Sequence, residues 1–179
     1  MTLLSTRRIY TGRVVNLDVD TVQFPNGAVG ELEMMRHSGA SAVVPFLDPA
    51  TDADPRILLI RQFRHATDGW LWEIPAGRRD GEEAPEATAH RELAEETGYT
   101  AVRLERLTTI WTTPGFTDER IHLFSAHDLT PGVTAHEVDE VMELHEVAWS
   151  RAMTMVRDGT ITDTKTIVGL LWIAAVRAG

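Results

Sequence analysis

The sequence predicts an α+β fold, in which mixed strands and a few helices pack in layers around a core. Three observations predict it. Short apolar segments between Val15 and Phe63 either alternate with polar residues or run unbroken between turn signals, as strands do. A helix is marked out by Pro85 in a first turn and Gly98 just past an end. A second helix shows as an apolar stripe from Ile167 to Ala174.

The elements follow in order. From Arg13 to Phe24, Val15, Leu17 and Val19 alternate with polar neighbours, the pattern of a half-buried strand. Pro25-Asn26-Gly27 is a turn, and Glu31 to His37 returns as the second strand of a hairpin. Ser41 to Leu47 and Ile57 to Phe63 read as buried strands, separated by a loop around Pro49 to Pro55. Trp70 to Ile74 is a short strand running into Pro75-Ala76-Gly77 and the first helix. Strands follow around Val102 to Trp111 and Ile121 to Ala126. After Pro131-Gly132, the stretch Thr134 to Leu144 reads as an acidic loop entering a further strand. Ser150 is placed to cap a helix from Arg151 to Arg157 that stops before Gly159. Asp163 or Thr164 caps the last helix, through Val176, with Ile167, Leu170, Leu171 and Ala174 as its core stripe.

Composition narrows the function. With 179 residues, 43% of them hydrophobic, the chain suits one globular domain with a sizeable core. A formal net charge of −10 argues against nucleic acid or an anionic membrane as the main partner, since both select a basic patch. The absence of cysteine excludes disulfides, thiolate catalysis and cysteine-ligated zinc. The opening MTLLSTRRIYTGR has no apolar core of signal length, and the run Ile167 to Val176 is too short to span a bilayer. The expected location is the cytoplasm.

Six glutamates stand between Gly77 and Gly98, in GRRDGEEAPEATAHRELAEETG. Glu92, Glu95 and Glu96 fall at i, i+3 and i+4, so their carboxylates crowd one helix face, while Ala89 and Leu93 point to another and can anchor it. Like charges so placed repel, and Arg91 is at hand to offset them. A hard cation explains the cluster, because Mg²⁺ and Mn²⁺ prefer oxygen ligands. The alternative for any acidic run is a solvated surface. The order of residues decides between them: Gly77, five residues, Glu83, seven residues, then Arg91-Glu92-Leu93-Ala94-Glu95-Glu96-Thr97-Gly98. This resembles the Nudix box, G-x5-E-x7-R-E-U-x-E-E-x-G-U, at every fixed position. It departs only at Tyr99, where the family usually has an aliphatic residue.

The flanks resemble the ADP-ribose pyrophosphatase branch of that family. Arg61-Gln62-Phe63-Arg64 is similar to its R-Q-[YF]-R strand, and Trp70 to Gly77 to its W-x-x-E-[IL]-P-A-G entry. Pro114, fifteen residues after Tyr99, falls at the branch's marker position within Thr113 to Glu119. The resemblance implies an α/β/α sandwich with a mixed sheet, formed by residues 39–179. It also implies a β-region over residues 1–38 that packs on, or swaps with, a partner subunit in a homodimer, with an ordinary edge hairpin of a monomer as the alternative. The implied metal ligands are Glu92, Glu95, Glu96 and the Ala76 carbonyl, with Mg²⁺, or Mn²⁺, as cofactor. Arg91 is expected to pair with a neighbouring carboxylate and hold the preceding loop, and Glu83 to orient Arg91 or water.

Arg64 and Arg61 are candidate diphosphate contacts. Pro114, Gly115 and Glu119 are candidate substrate-loop residues. Glu73 is a candidate acceptor from adenine or ribose, with a structural ion pair as the alternative, and Trp70 either stacks on a base or packs in the core. The general base is expected at Glu140, with Glu137, Glu143 and Glu95 as competitors. The implied activity is Mg²⁺-dependent cleavage of ADP-ribose to AMP and ribose 5-phosphate. Hydrolysis of GDP-mannose or another nucleoside diphosphate sugar is the alternative. A nucleotide-sensing module without catalysis is less favoured, because the box glutamates are all present.

Overall fold

The computed structural model describes residues 1–133 and 141–177. Its centre is a mixed four-stranded sheet in the order β7-β4-β9-β8, formed by β4 (Ala40–Pro45), β7 (Ala76–Arg78), β8 (Tyr99–Trp111) and β9 (Arg120–Pro131). β4 runs parallel to β9, and the other pairings are antiparallel. Every residue of β4 is buried, so its two faces serve two cores. On one face Ala42 and Val44, with Ile121 and Leu123 of β9, meet the helices α2 (Trp149–Arg157) and α3 (Thr164–Arg177). On the other, Val43, Phe124 and Ala126 receive Ala89 and Leu93 of α1 (Pro85–Thr97). Helices on both faces give the expected α/β/α layering. Leu93 is fully buried, and burying a leucine contributes about 2–3 kcal/mol toward seating α1.

A second, antiparallel sheet has the order β10-β5-β6, from β5 (Arg56–Arg64), β6 (Gly69–Glu73) and β10 (Met142–Ala148). A bridge between Phe46 and Ile57 links it to the end of β4. The third sheet is N-terminal and antiparallel, with β2 (Asn16–Gln23) between β1 (Thr2–Thr11) and β3 (Val29–Arg36). Its buried Asp18 and Asp20 are held by Arg8, Arg36 and Thr6. The hydrogen bond from Arg8, seconded by Arg36, keeps the Asp18 carboxyl below its ordinary range.

The predicted strands and helices are present, with four differences. β1 lies upstream of the predicted hairpin; all ten of its residues are exposed, so it lacks the alternation that marks a half-buried strand. The three-residue β7 is too short for periodicity to show. Ser150 does not cap its helix, which begins at Trp149 after Ala148; Asp54 accepts from the Ser150 amide at 2.7 Å and its hydroxyl at 2.8 Å instead. In α3 the buried face is Thr166, Gly169, Leu170 and Ile173, while Leu171 is exposed. Gly169 turns that face inward: a Cβ there would lie 3.1 Å from Val44 Cγ2, so the glycine permits close approach to the sheet. Asp163 caps α3 as expected, its Oδ2 accepting from the Thr166 amide at 3.0 Å. Among the described residues no helix is long and apolar enough to cross a membrane.

Candidate active site

The acidic face of α1 is organised by one cation. Arg91 Nη2 donates to Glu83 Oε2 at 3.0 Å, and Nε to Glu83 Oε1 at 3.3 Å. Nη1 donates to Glu92 at 2.7 Å and to Glu95 at 3.0 Å, while Nη2 also reaches the Arg78 carbonyl at 3.0 Å. One guanidinium therefore spans three carboxylates and the strand-end before the helix, a use of its planar fork that lysine cannot copy. Glu83 also accepts from the Thr88 hydroxyl at 2.8 Å and the Asp80 amide at 3.3 Å. The hydrogen bond from Arg91 is the largest cause that holds the Glu83 carboxyl down, at about 2.

Glu96 and Glu92 face the sheet. Glu96 is 3% exposed and accepts from the Ala76 amide at 2.8 Å, which ties β7 to the helix. Gly77 lies against Glu92, and a Cβ at that position would land inside the Glu92 carboxylate. Glu95, by contrast, is partly open to solvent. Among the described residues no three acidic or imidazole groups form a ready-made metal cage, and Arg91 pairs with two of these carboxylates. The donor set is nevertheless all oxygen, on one helix face and beside the Ala76 backbone, which fits a hard divalent cation.

A cavity of about 540 Å³ opens beside Glu96 and Ala76, with Gln62, Arg64, His37 and Arg13 on its other walls. Arg64 donates to Glu73 through Nε at 2.7 Å and Nη2 at 2.8 Å. Lys165, at the start of α3, also pairs with Glu73. Burial alone would push the Glu73 carboxyl up; Arg64 and Lys165 outweigh it and hold it below its usual value. Glu73 thus stands behind Arg64 as its counter-ion, the ion-pair alternative of the two sequence readings.

Alternation along β5 separates the two candidate arginines. Arg64 lines the cavity, whereas Arg61 falls on the opposite face, 5.2 Å from the centre of the Trp70 ring and 3.5 Å from Glu143. Trp70 is also 6.0 Å from Phe63, edge to face, and is not a core residue.

A second cavity of about 350 Å³ adjoins the first, sharing Val14 and His37, and is lined by Met35, Thr112, Phe116 and Glu119. Glu119 accepts from the Thr112 hydroxyl at 2.8 Å. Pro114 and Gly115 form the exposed tip of this turn. Asp118 fastens the turn to the N-terminal sheet, accepting from the His37 amide at 2.8 Å and from Arg36 at 3.4 Å. The expected base Glu140 and its competitor Glu137 lie outside the described residues. Sequence reasoning passed over Gln62, His37 and Lys165. Gln62 enters the sequence only as a letter of the strand motif, no spacing rule marks His37, and Lys165 meets Glu73 across 92 residues of chain.

A sequence profile of the NUDIX domain matches residues 36–164. An ADP-ribose pyrophosphatase of Bacillus subtilis is 37% identical over 172 residues, which cover 95% of this chain and 90% of that protein. A GDP-mannose pyrophosphatase of Salmonella paratyphi B is 40% identical over 126 residues, or 65% of each chain. Among solved structures, an ADP compounds hydrolase superposes with a TM-score of 0.85 at 22% identity, covering 99% of this chain and 94% of its own. That last likeness speaks for the fold. With the domain profile matched across most of the chain, and the motif residues on the helix seated beside the cavity, the chain belongs to the Nudix family.

Proposed function

We propose that this Nudix hydrolase cleaves the diphosphate linkage of ADP-ribose, with water, to AMP and ribose 5-phosphate. The observation that carries this reading is the shared cavity: Glu96, from the acidic helix, and the Arg64 guanidinium line one space. Similarity to an ADP-ribose pyrophosphatase over nearly the whole chain supports the substrate. GDP-mannose or another nucleoside diphosphate sugar is the second reading, favoured by the GDP-mannose pyrophosphatase similarity over a shorter span. The test is product analysis with Mg²⁺ and a panel of ADP-ribose, GDP-mannose, NADH and a nucleoside triphosphate. AMP and ribose 5-phosphate formed fastest from ADP-ribose supports the first reading; faster turnover of another sugar nucleotide replaces it with the second.

Glu92, Glu95, Glu96 and the Ala76 carbonyl would hold Mg²⁺, or Mn²⁺ in its place. The chemistry such a cation supplies is charge neutralisation at the diphosphate oxygens and a lower pKa for water. Arg64, oriented by Glu73 and Lys165, donates to a diphosphate oxygen from the nitrogen not engaged by Glu73. Arg61 is assigned no diphosphate contact, since it stands on the other face of β5. Arg91 keeps the carboxylates and the loop before the helix in place. Glu119 faces the sugar or base end of the substrate from the adjoining cavity, on the turn that carries Pro114 and Gly115.

Glu140 is the proposed base that takes the proton of the attacking water. Glu140→Gln is expected to lower kcat more than it weakens substrate binding. A wild-type rate in that variant would pass the role to Glu95 or Glu143.

Residues 1–38 are the proposed homodimer contact of a cytoplasmic enzyme, with residues 39–179 as the hydrolase domain. The open edge strand β1 supports this, with Leu3, Leu4, Ile9 and Tyr10 all exposed. Removal of residues 1–38 is expected to yield a monomer in sedimentation, and a surviving dimer would refute the assignment.

A further inference from the structure

Gln62 is 5% exposed and is the seventh of the nine residues of β5. The residues opposite it on the neighbouring strands are Leu71 and Met142. Directly opposed residues share a face of a sheet, so the carboxamide is flanked by apolar side chains. Arg64, two positions along on the same face, has Nε and Nη2 committed to Glu73. Among the described residues Gln62 Oε1 has no hydrogen-bond partner. The same side chain lines the cavity that holds Arg64, Ala76 and Glu96. A buried acceptor without a donor weakens a fold, and its presence calls for an explanation. Leu58 and Ile60 show that aliphatic side chains fill this strand well.

The missing partner must be a donor. A diphosphate offers only acceptor oxygens, and the substrate's hydroxyl donors belong to its two ends, so at the wall between Arg64 and Glu96, where the diphosphate is placed, the donor is water. The geometry points to Gln62 as the residue that positions the attacking water, its Oε1 accepting one of the two water hydrogens. This rests on the diphosphate-cleaving function proposed above. The water oxygen bonds to phosphorus as the bond from phosphorus to the bridging oxygen breaks. The bridging oxygen leaves on the departing phosphate. The second water hydrogen passes to the base, and Gln62 stays neutral throughout. Its contribution is direction: a water held by one fixed acceptor presents a lone pair toward phosphorus.

The test is Gln62→Met in the full-length protein, a near-isosteric change that removes the amide. Two readouts are needed: the thermal midpoint without substrate or added cation, and kcat and KM for ADP-ribose. The expected result is a midpoint equal to or above wild type, because an unpaired acceptor has been replaced by apolar volume. With it, kcat falls about 10-fold or more while KM stays within about 2-fold. A midpoint several degrees lower, or failure to fold, overturns the inference by showing a structural partner for the amide. A raised KM with kcat kept also overturns it, placing the contact on a substrate hydroxyl. Wild-type cleavage with an unaffected variant refutes the role of Gln62 alone, whereas a wild type that cleaves no diphosphate in the panel refutes both readings.

Discussion

Glu96→Gln is expected to lower kcat by about 100-fold or more while the protein stays folded, since losing even an outer partner of a metal ligand costs about 10–100-fold. The fold survives because a glutamine at 96 still offers an oxygen to the Ala76 amide, which Glu96 now accepts at 2.8 Å. Exchanging a charged acceptor for a neutral one costs about 1 kcal/mol, or a midpoint shift of about 2–4 °C for a chain of this size. Relief of repulsion from Glu92 and Glu95 offsets a few tenths of that. Calorimetry and steady-state kinetics on one preparation check both halves. Near-normal turnover would remove Glu96 from the cation site, and a collapsed fold would assign it to holding β7.

The second large effect is expected from Arg91→Ala. It removes the cation that Glu83, Glu92 and Glu95 share and releases the Arg78 carbonyl. Arg91 is only partly buried, so the loss lies between that of an exposed pair and a buried one, about 1–3 kcal/mol. The rate is expected to fall about 10–100-fold through misplaced ligands. Arg91→Lys is expected to restore the charge but little of the rate, because an ammonium cannot span the same partners. The pH dependence is specific. Glu83 has its folded pKa lowered from 4.5 to about 2, chiefly by Arg91. A lowered folded value stabilises fully above 4.5, and the contribution drains away as pH falls toward 2. Arg91→Ala is therefore expected to lose most stability at neutral pH and to converge on wild type near pH 2. A constant difference across that range in acid titrations followed by circular dichroism would contradict this account.

The box helix was legible because all its signals are local: Pro85, Gly98 and carboxylates three and four apart on one turn. The alternating and continuous strands were legible for the same reason. What stayed hidden depends on chain segments far apart. The partner that orients Arg64 is shared with Lys165, on a helix that begins about a hundred residues later. The cap of α2 comes from Asp54, 96 residues upstream, so a serine one turn-position inside the helix drew the prediction instead. β1 carries no buried face and leaves no period to read. Of the α3 stripe, Leu170 is buried and Ile167 and Ala174 pack against the core, but Leu171 was misplaced, because a glycine, invisible to any hydrophobic pattern, sets the closest approach of the helix. Gln62 was seen only as a letter in a strand motif; its isolation among apolar neighbours needed the register of three strands.

The contact between Gly77 and Glu92 makes two sequence positions behave as a single heritable character. No residue bearing a Cβ can enter at 77 while the glutamate at 92 keeps its place. The easiest relief is for the flexible end of Glu92 to swing aside, so a lineage that drifts at 77 keeps a sound scaffold and surrenders its chemistry. The glycine that opens the motif is thus a guardian of the reaction, and its loss would leave a folded descendant free to be recruited for another purpose.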